Sequence, residues 1–203
     1  MDNKDSATRL RILQVALKRF AHAGYAGVSV QDIVDDAKVT KPTLYYYFGS
    51  KAGLYKALVD HAHDERFRLM QEAAGRGKTF PEQLTDILTA LFDFLGKNKD
   101  LMRLTWATAF AAPGEVPQQA SSMKKGMRNF TFLQDFIEKE VAVGRMNNAF
   151  DSKELTMALY GMVNMYVIGA LLGTMVLKRS RQTAEKIVKL YFEGAKSAAT
   201  RSS

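Results

Sequence analysis

Lys38-Val39-Thr40-Lys41-Pro42-Thr43-Leu44-Tyr45-Tyr46-Tyr47-Phe48-Gly49-Ser50-Lys51 is the stretch whose reading decides the fold of this 203-residue chain. Thr40 can cap a helix, its hydroxyl accepting an orphan backbone N–H of the following turn. Val39 and Leu44 then occupy the two positions of a hydrophobic staple, which fixes the angle at which the chain enters the helix. Pro42 falls in the first turn, where no N–H is needed. A short helix is therefore predicted from Lys41. Neighbours on a helix lie about 100° apart, so Tyr45, Tyr46 and Tyr47 cannot all face a core. Leu44 and Phe48, four apart, form the expected buried pair, and at least two tyrosines point elsewhere. Hydroxyls, lysines and a helix N-terminus suit phosphate contact. This is the profile of a recognition helix.

Composition agrees with an anionic partner. The net charge is +8 and the isoelectric point about 9.6, which places nucleic acid ahead of a membrane surface. Charge alone also fits any basic soluble protein. It is not concentrated at the N-terminal end, since residues 1–55 carry eight Lys and Arg against five Asp. The hydrophobic share of 47% and charged share of 25% are those of a folded soluble chain. Cysteine is absent, which excludes disulfides and thiolate zinc sites and fits a cytoplasmic location. The N-terminus is charged, without a signal-like apolar core. Leu155 to Leu177 has no charged residue and is long enough to span a bilayer. Asn164 near its centre and its Thr, Gly and Tyr content favour a helix buried in a core or an oligomer interface, and no membrane partner is expected.

Helical spacing continues along the whole chain. Ile12, Leu13, Ala16, Leu17 and Phe20 form a stripe in a first helix over about 6–23, ended by Gly24. Ser29 caps a second helix with Asp32 as its capping-box partner and Ile33, Val34 and Ala37 as its inner face. A short connection leads to the Tyr-rich helix, and helix, tight turn and helix make a helix-turn-helix. Ser50 caps a fourth helix carrying Leu54, Leu58 and Val59, which Gly75 and Gly77 break. Helices follow at about 80–96, 100–112 and 119–143. Asp151 caps the next, with Glu154 at its third position and a Phe150–Leu155 staple, and a last helix starts near Gln182 with Ala184, Ile187, Val188, Tyr191 and Ala195 on one face. No strict alternation marks a strand. The expected class is all-α: a three-helix helix-turn-helix head over 1–50 and a larger helical body over 51–203.

The head resembles the TetR family of bacterial transcriptional regulators. The resemblance rests on Ile12-Leu13, Ala16 and Phe20, on Gly24-Tyr25 and Ser29-Val30-Gln31-Asp32-Ile33, and on Ala37 through Phe48 followed by Ser50-Lys51 and Leu54-Tyr55. It covers the first 55 to 60 residues; beyond them only length and helical content agree. Two positions depart from the family's pattern. Lys38 stands where a glycine is usual before the valine, and Pro42 where a glycine is usual after the lysine. The first adds a possible phosphate contact and the second stiffens the helix start. The resemblance implies a cytoplasmic homodimer, a repressor that binds double-stranded DNA at a palindromic operator and is released by a small-molecule effector through the helix that begins at Lys51. It also implies a dimer interface built by the last two long helices, for which Gly161, Gly169, Ala170, Gly173, Ile187, Val188 and Tyr191 are candidates.

In such a head Ser29, Lys38, Thr40, Lys41, Thr43, Tyr45, Tyr46 and Lys51 form the expected DNA-facing set. Lys41 and Thr43 are placed to meet base edges at the N-terminal end of the recognition helix, and Lys51 to hold a phosphate. Tyr47 is open between core packing and backbone contact. Candidates for contact with an apolar effector are the large soft residues Phe92, Met102, Trp106, Phe110, Phe132, Met162, Met165 and Tyr166, although for any single one of them ordinary core is the favoured reading. His61 and His63 are two apart and face different sides, a poor metal pair. No cofactor is expected. No phosphate loop or nucleophile elbow is present, so the chain does not read as an enzyme. The competing reading keeps the head and drops the switch, giving a DNA-binding architectural protein.

Overall fold

The computed structural model describes residues 3–120, 123–146, 149–175 and 179–194. Nine α-helices and one short 3-10 turn occur among them, and no strand. The helices are α1 (Asn3–Ala23), α2 (Val30–Ala37), α3 (Lys41–Phe48), α4 (Lys51–Ala74), α5 (Phe80–Lys97), α6 (Lys99–Phe110), α7 (Met123–Ala142), α8 (Ser152–Leu172) and α9 (Ser180–Glu193), with the 3-10 turn at Gln118–Ala120. Compactness divides the chain into two units, Met1–Glu65 with Asn98–Gly126, and Arg66–Lys97 with Met127–Ser203. The first unit therefore holds α6 as well as the head helices, which a division at residue 50 does not convey. α4 contributes residues to both.

In the first unit α1 packs on α2 and α6, and α2 on α3. Ile12, Ala16 and Phe20 of the α1 stripe are buried, while Leu13 and Leu17 are half-buried. Ile33, Val34, Ala37, Leu44, Leu54 and Leu58 complete this core. Each of the larger of these side chains taken from water stabilises the fold by about 1.5–3 kcal/mol before entropy is counted. The Tyr55 hydroxyl shares a hydrogen bond of 2.9 Å with the Thr108 hydroxyl, which ties α4 to α6.

In the second unit α9 lies along α5, and α8 touches both. Leu84, Ile87 and Leu88 of α5 and Ala184, Ile187 and Val188 of α9 are buried. Ile187 and Val188 were expected at a dimer interface; they belong to the core of their own chain. Tyr191 is half-buried and donates its hydroxyl to the Leu155 carbonyl at 3.1 Å. Ala195 and Leu177 lie outside the described residues.

α8 ends at Leu172, short of the expected Leu177. Gly173 takes the left-handed conformation at φ 78°, and the backbone N–H groups of Thr174 and Met175 return to the Gly169 carbonyl at 2.9 and 3.0 Å. That is the geometry in which a glycine terminates a helix. Gly173 is thus a stop signal. Gly169 is small for a local reason too: a Cβ there would lie 2.7 Å from Met175 Cγ of the same chain. Gly161 is different, being exposed with open space beside it. Together with Met157, Met165 and Leu172 (58, 59 and 72% exposed) it forms a stripe along one face of α8. This helix is also long and apolar enough to cross a membrane by length and composition alone.

Candidate nucleic-acid interface

Three capping events set the geometry of the head. Ser29 caps α2 with a complete capping box. Its hydroxyl accepts from the Asp32 N–H at 3.1 Å and donates to Asp32 Oδ2 at 2.6 Å, and the same carboxylate accepts the Ser29 N–H at 2.8 Å. These bonds hold the Asp32 carboxyl below its ordinary pKa, with the Ser29 hydroxyl as the largest cause. Thr40 caps α3, accepting the Thr43 N–H at 3.4 Å and sharing a 2.9 Å bond with the Thr43 hydroxyl. Ser50 caps α4, its hydroxyl accepting from the Gly53 N–H at 2.9 Å.

Between α2 and α3 the chain turns through Lys38, the one non-glycine residue with positive φ among those described (φ 51°, ψ 51°). Its N–H reaches Asp35 and Val34 carbonyls. The turn demands the left-handed region, which a residue with a Cβ enters at a cost of roughly 1–2 kcal/mol. Lys38 and Lys41 are exposed.

α3 presents its side chains as its spacing requires. Leu44 is fully buried, Thr43 half-buried, and Tyr45 and Tyr46 are 45 and 76% exposed. Phe48, expected to be buried with Leu44, is only half-buried, with the Arg9 guanidinium 5.4 Å from its ring centroid. Tyr47 is settled by a partner far away in sequence. Its hydroxyl donates to the Asp5 carboxylate of α1, which pushes its pKa up to about 12. The Tyr46 and Tyr47 rings meet edge-on at 5.0 Å. The Arg19–Asp36 pair at 2.6 Å joins α1 to α2. Asp5, Arg9, Arg19 and Asp36 were not singled out from sequence; only their spatial neighbours reveal what they do.

Lys51 does not sit as a free cation at a helix end. Its ammonium donates to the Val28 carbonyl at 2.5 Å and lies 4.2 Å from the Tyr25 ring centroid. Burial lowers its pKa, with nearby Asp32 acting in the opposite direction. The Tyr25 ring meets Tyr55 at 5.2 Å, and Phe20 meets both. Lys51 is therefore part of an aromatic joint within the head. The Ser29 hydroxyl is likewise occupied within its own cap.

The effector candidates are not brought together in one unit. Met102, Trp106 and Phe110 are in the first and Phe92, Phe132, Met162, Met165 and Tyr166 in the second. Phe92 and Met102 are buried, Phe110 and Met165 are 78 and 59% exposed, and the others are half-buried. Phe92 meets Tyr166 at 6.2 Å and Trp106 stacks on Phe110 at 5.7 Å. Exposed Phe110 and Met165 do not line an enclosed space. Inside the first unit a cleft of about 380 Å³ is lined by Phe20, Tyr25, Tyr55, Arg103 and Leu104 among others, and none of the candidates borders it.

A capped helix α2, a tight turn and a helix α3 that offers hydroxyls and cations to solvent define a helix-turn-helix DNA-binding head. Residues 12–58 match the family model described as bacterial regulatory proteins, tetR family. The matched head is that of the TetR family of transcriptional regulators. It is 26% identical over 198 residues to the uncharacterised HTH-type transcriptional regulator YdgC of Bacillus subtilis, covering 96% of this chain and 95% of YdgC. It is 24% identical to the HTH-type transcriptional repressor SCO4008 of Streptomyces coelicolor, over 80% of this chain and 79% of that protein. Its fold matches the crystal structure of the transcriptional regulator FadR from Bacillus subtilis in complex with stearoyl-CoA. The TM-score there is 0.75 at 17% identity, covering 92% of this chain and 99% of the other.

Proposed function

We propose that the protein is a cytoplasmic, homodimeric repressor that binds a palindromic operator through residues 1–50 and is released by a small ligand bound in the body, residues 51–203. The observation that carries the reading is the presentation of α3, with Tyr45 and Tyr46 exposed, Lys41 exposed beside them and Thr43 at the N-terminal turn. N-terminal residues of a recognition helix enter the major groove, and hydroxyls and cations serve both phosphates and base edges. Lys38 and Thr40 extend this surface on the turn. Lys51 and Ser29 enter as positioning residues, because the polar groups of both are held inside the head.

The homodimer is supported by the α8 stripe. Met157, Met165 and Leu172 expose apolar surface in a row beside Gly161, and apolar rows of this kind on a soluble chain are covered by a partner. A homodimer would offer two heads to half-sites about one helical turn (~34 Å) apart or more. Repression is supported by the likeness to SCO4008, and ligand release by the fold shared with FadR, which was crystallised with stearoyl-CoA.

The test is selection of bound sites from random duplex DNA by the purified full-length protein near physiological salt. An inverted repeat is expected. Recovery of sequence-independent, steeply salt-dependent binding alone would replace the switch with an architectural role.

A further inference from the structure

The cleft inside the first unit is built by a contrast in side-chain size. Part of its lining is aromatic. Phe20 of α1, Tyr25 of the connector and Tyr55 of α4 meet in one cluster, with ring centroids 5.9 Å (Phe20–Tyr25), 5.1 Å (Phe20–Tyr55) and 5.2 Å (Tyr25–Tyr55) apart. Leu104 of α6 joins them in the lining. Much of the rest is small: Ala23 ends α1, Ala26 lies on the connector, Ala107 is in α6 and Ala111 follows it. Methyl groups cannot reach across to the rings, and a space of about 380 Å³ is left. At Gly24, also in the lining, an added Cβ would meet nothing within 4 Å.

The lining is fixed before any ligand arrives. Phe20, Tyr55 and Leu104 are buried, and the Tyr55 hydroxyl is held by that of Thr108. Tyr25 is half-buried, with its ring held under the Lys51 ammonium. A site formed in advance needs little ordering on binding. Its size is at the small end of ligand pockets, which suits one or two fused rings rather than a long chain. Aromatic walls favour an aromatic guest through stacked and edge-on contact. Two charged side chains border the cleft, Arg103 and Glu115. They are opposite in sign and both are engaged: Arg103 pairs with Asp100 at 3.3 Å, and Glu115 accepts the Ala112 N–H at 2.9 Å. Neither sign is in excess, so the cleft asks for no net charge on its guest.

We propose that this cleft is a ligand site for a flat, neutral aromatic molecule of one or two rings, and that its occupancy is coupled to DNA binding. The coupling follows from what lines it. Ala23 to Ala26 are the end of α1 and the start of the connector to α2, the helix that precedes the recognition helix. A guest seated there touches α1, the connector, α4 and α6 together. It favours the arrangement of these elements that fits it, and it shifts DNA affinity as far as that arrangement differs from the one DNA selects. The site shares no residue with the second unit, so it is additional to an effector site there. Binding in the cleft is independent of the repressor reading; the coupling rests on it.

The experiment is calorimetric titration of the full-length protein with β-naphthylmethanol, β-naphthoate and β-naphthylmethylammonium, which share a ring system and differ in charge. It compares the wild type with Ala107→Phe and Ala111→Leu, which fill the cleft from two positions, and records the melting temperature of each unliganded protein. The alcohol should bind the wild type most tightly of the three. Each filled variant should bind it at least about tenfold more weakly and melt no lower than the wild type, because the added side chain enters open space. With the alcohol present, operator affinity of the wild type should change at least about fivefold, the low end of ordinary coupling between sites, and that of the variants by less than about twofold. Absence of binding by the alcohol, tighter binding of either ion, undiminished affinity in either variant, or a lowered melting temperature in both would each overturn the site. Binding that leaves operator affinity unchanged would overturn the coupling. The calorimetric result needs no operator, so failure of the site and failure of the repressor reading are told apart.

Discussion

Lys51 and Val28 are joined across 23 residues by an ammonium-to-carbonyl hydrogen bond of 2.5 Å. The same ammonium lies over the Tyr25 ring, so the first residue of α4 anchors the connector that precedes α2. A lysine at a helix N-terminus is poorly placed with respect to the helix dipole, and this one is compensated by two specific contacts. Lys51→Ala should lower the stability of the chain by about 2 kcal/mol, the range for a hydrogen bond from a charged donor. It should weaken DNA binding without changing the dependence of log K on log salt. Urea denaturation and affinities at several salt concentrations check both. A slope shallower by about one unit would return Lys51 to the phosphate contacts.

Lys38 tests the opposite combination. Its left-handed backbone is strained for a residue with a Cβ, while its side chain is exposed on the turn before α3. Lys38→Gly should raise stability by about 0.5–1 kcal/mol, the relief at φ 51° less the greater chain entropy of glycine. If Lys38 meets a phosphate, the same variant should bind operator more weakly with a salt slope shallower by about one unit. Greater stability with an unaltered slope would leave Lys38 a turn residue only.

These two lysines show what was legible in the sequence and what was not. Local rules worked where the partner is local: the Ser29–Asp32 box, the Thr40 cap and the burial of Leu44 all follow from spacing within one turn. Lys51 reads from sequence as a phosphate ligand, and its partner within the chain, the Val28 carbonyl, is invisible there because it is set by how α4 folds back. Tyr47 is open from sequence for the same reason, since its partner Asp5 is 42 residues away. Apolar stripes were visible, but what each one faces was not. Ile187 and Val188 look alike in sequence whether a stripe meets its own core or a second chain, and here they are buried in their own chain on a helix that packs against α5. Gly173 reads from sequence as a small interface residue, and the structure gives it a role as a helix terminator.

The exposed row on α8 gives a direct test of assembly. Met165 is 59% exposed in the single chain, so replacing it should not disturb the fold. In a dimer closed by this face it would be covered, and a lysine there would have to be desolvated without a partner. Met165→Lys should raise the dimer dissociation constant by at least about tenfold and lower affinity for a full inverted repeat, leaving the melting curve of the chain within about 1 kcal/mol. Sedimentation velocity across a concentration series resolves this. A variant that sediments like the wild type would move the interface away from the α8 stripe.

Tyr191 supplies a pH-dependent test of the second unit. Its hydroxyl donates to the Leu155 carbonyl at 3.1 Å, and burial pushes its pKa up to about 12. In the unfolded chain a tyrosine ionises near its ordinary value of about 10. The folded state therefore retains a proton that the unfolded state gives up, and stability falls with pH wherever this difference exists. The contribution of Tyr191 is fully present below about pH 10 and is lost as the pH rises from there through about 12. Tyr47, raised to about 12 by its bond to Asp5, adds a loss of the same sign in the first unit. Tyr191→Phe should cost about 1 kcal/mol at pH 8, where the hydrogen bond is intact. It should also fall less steeply than the wild type between pH 10 and 11.5. Urea midpoints measured at both ends of that interval provide the comparison, and parallel losses in the two proteins would detach the alkaline limb from Tyr191.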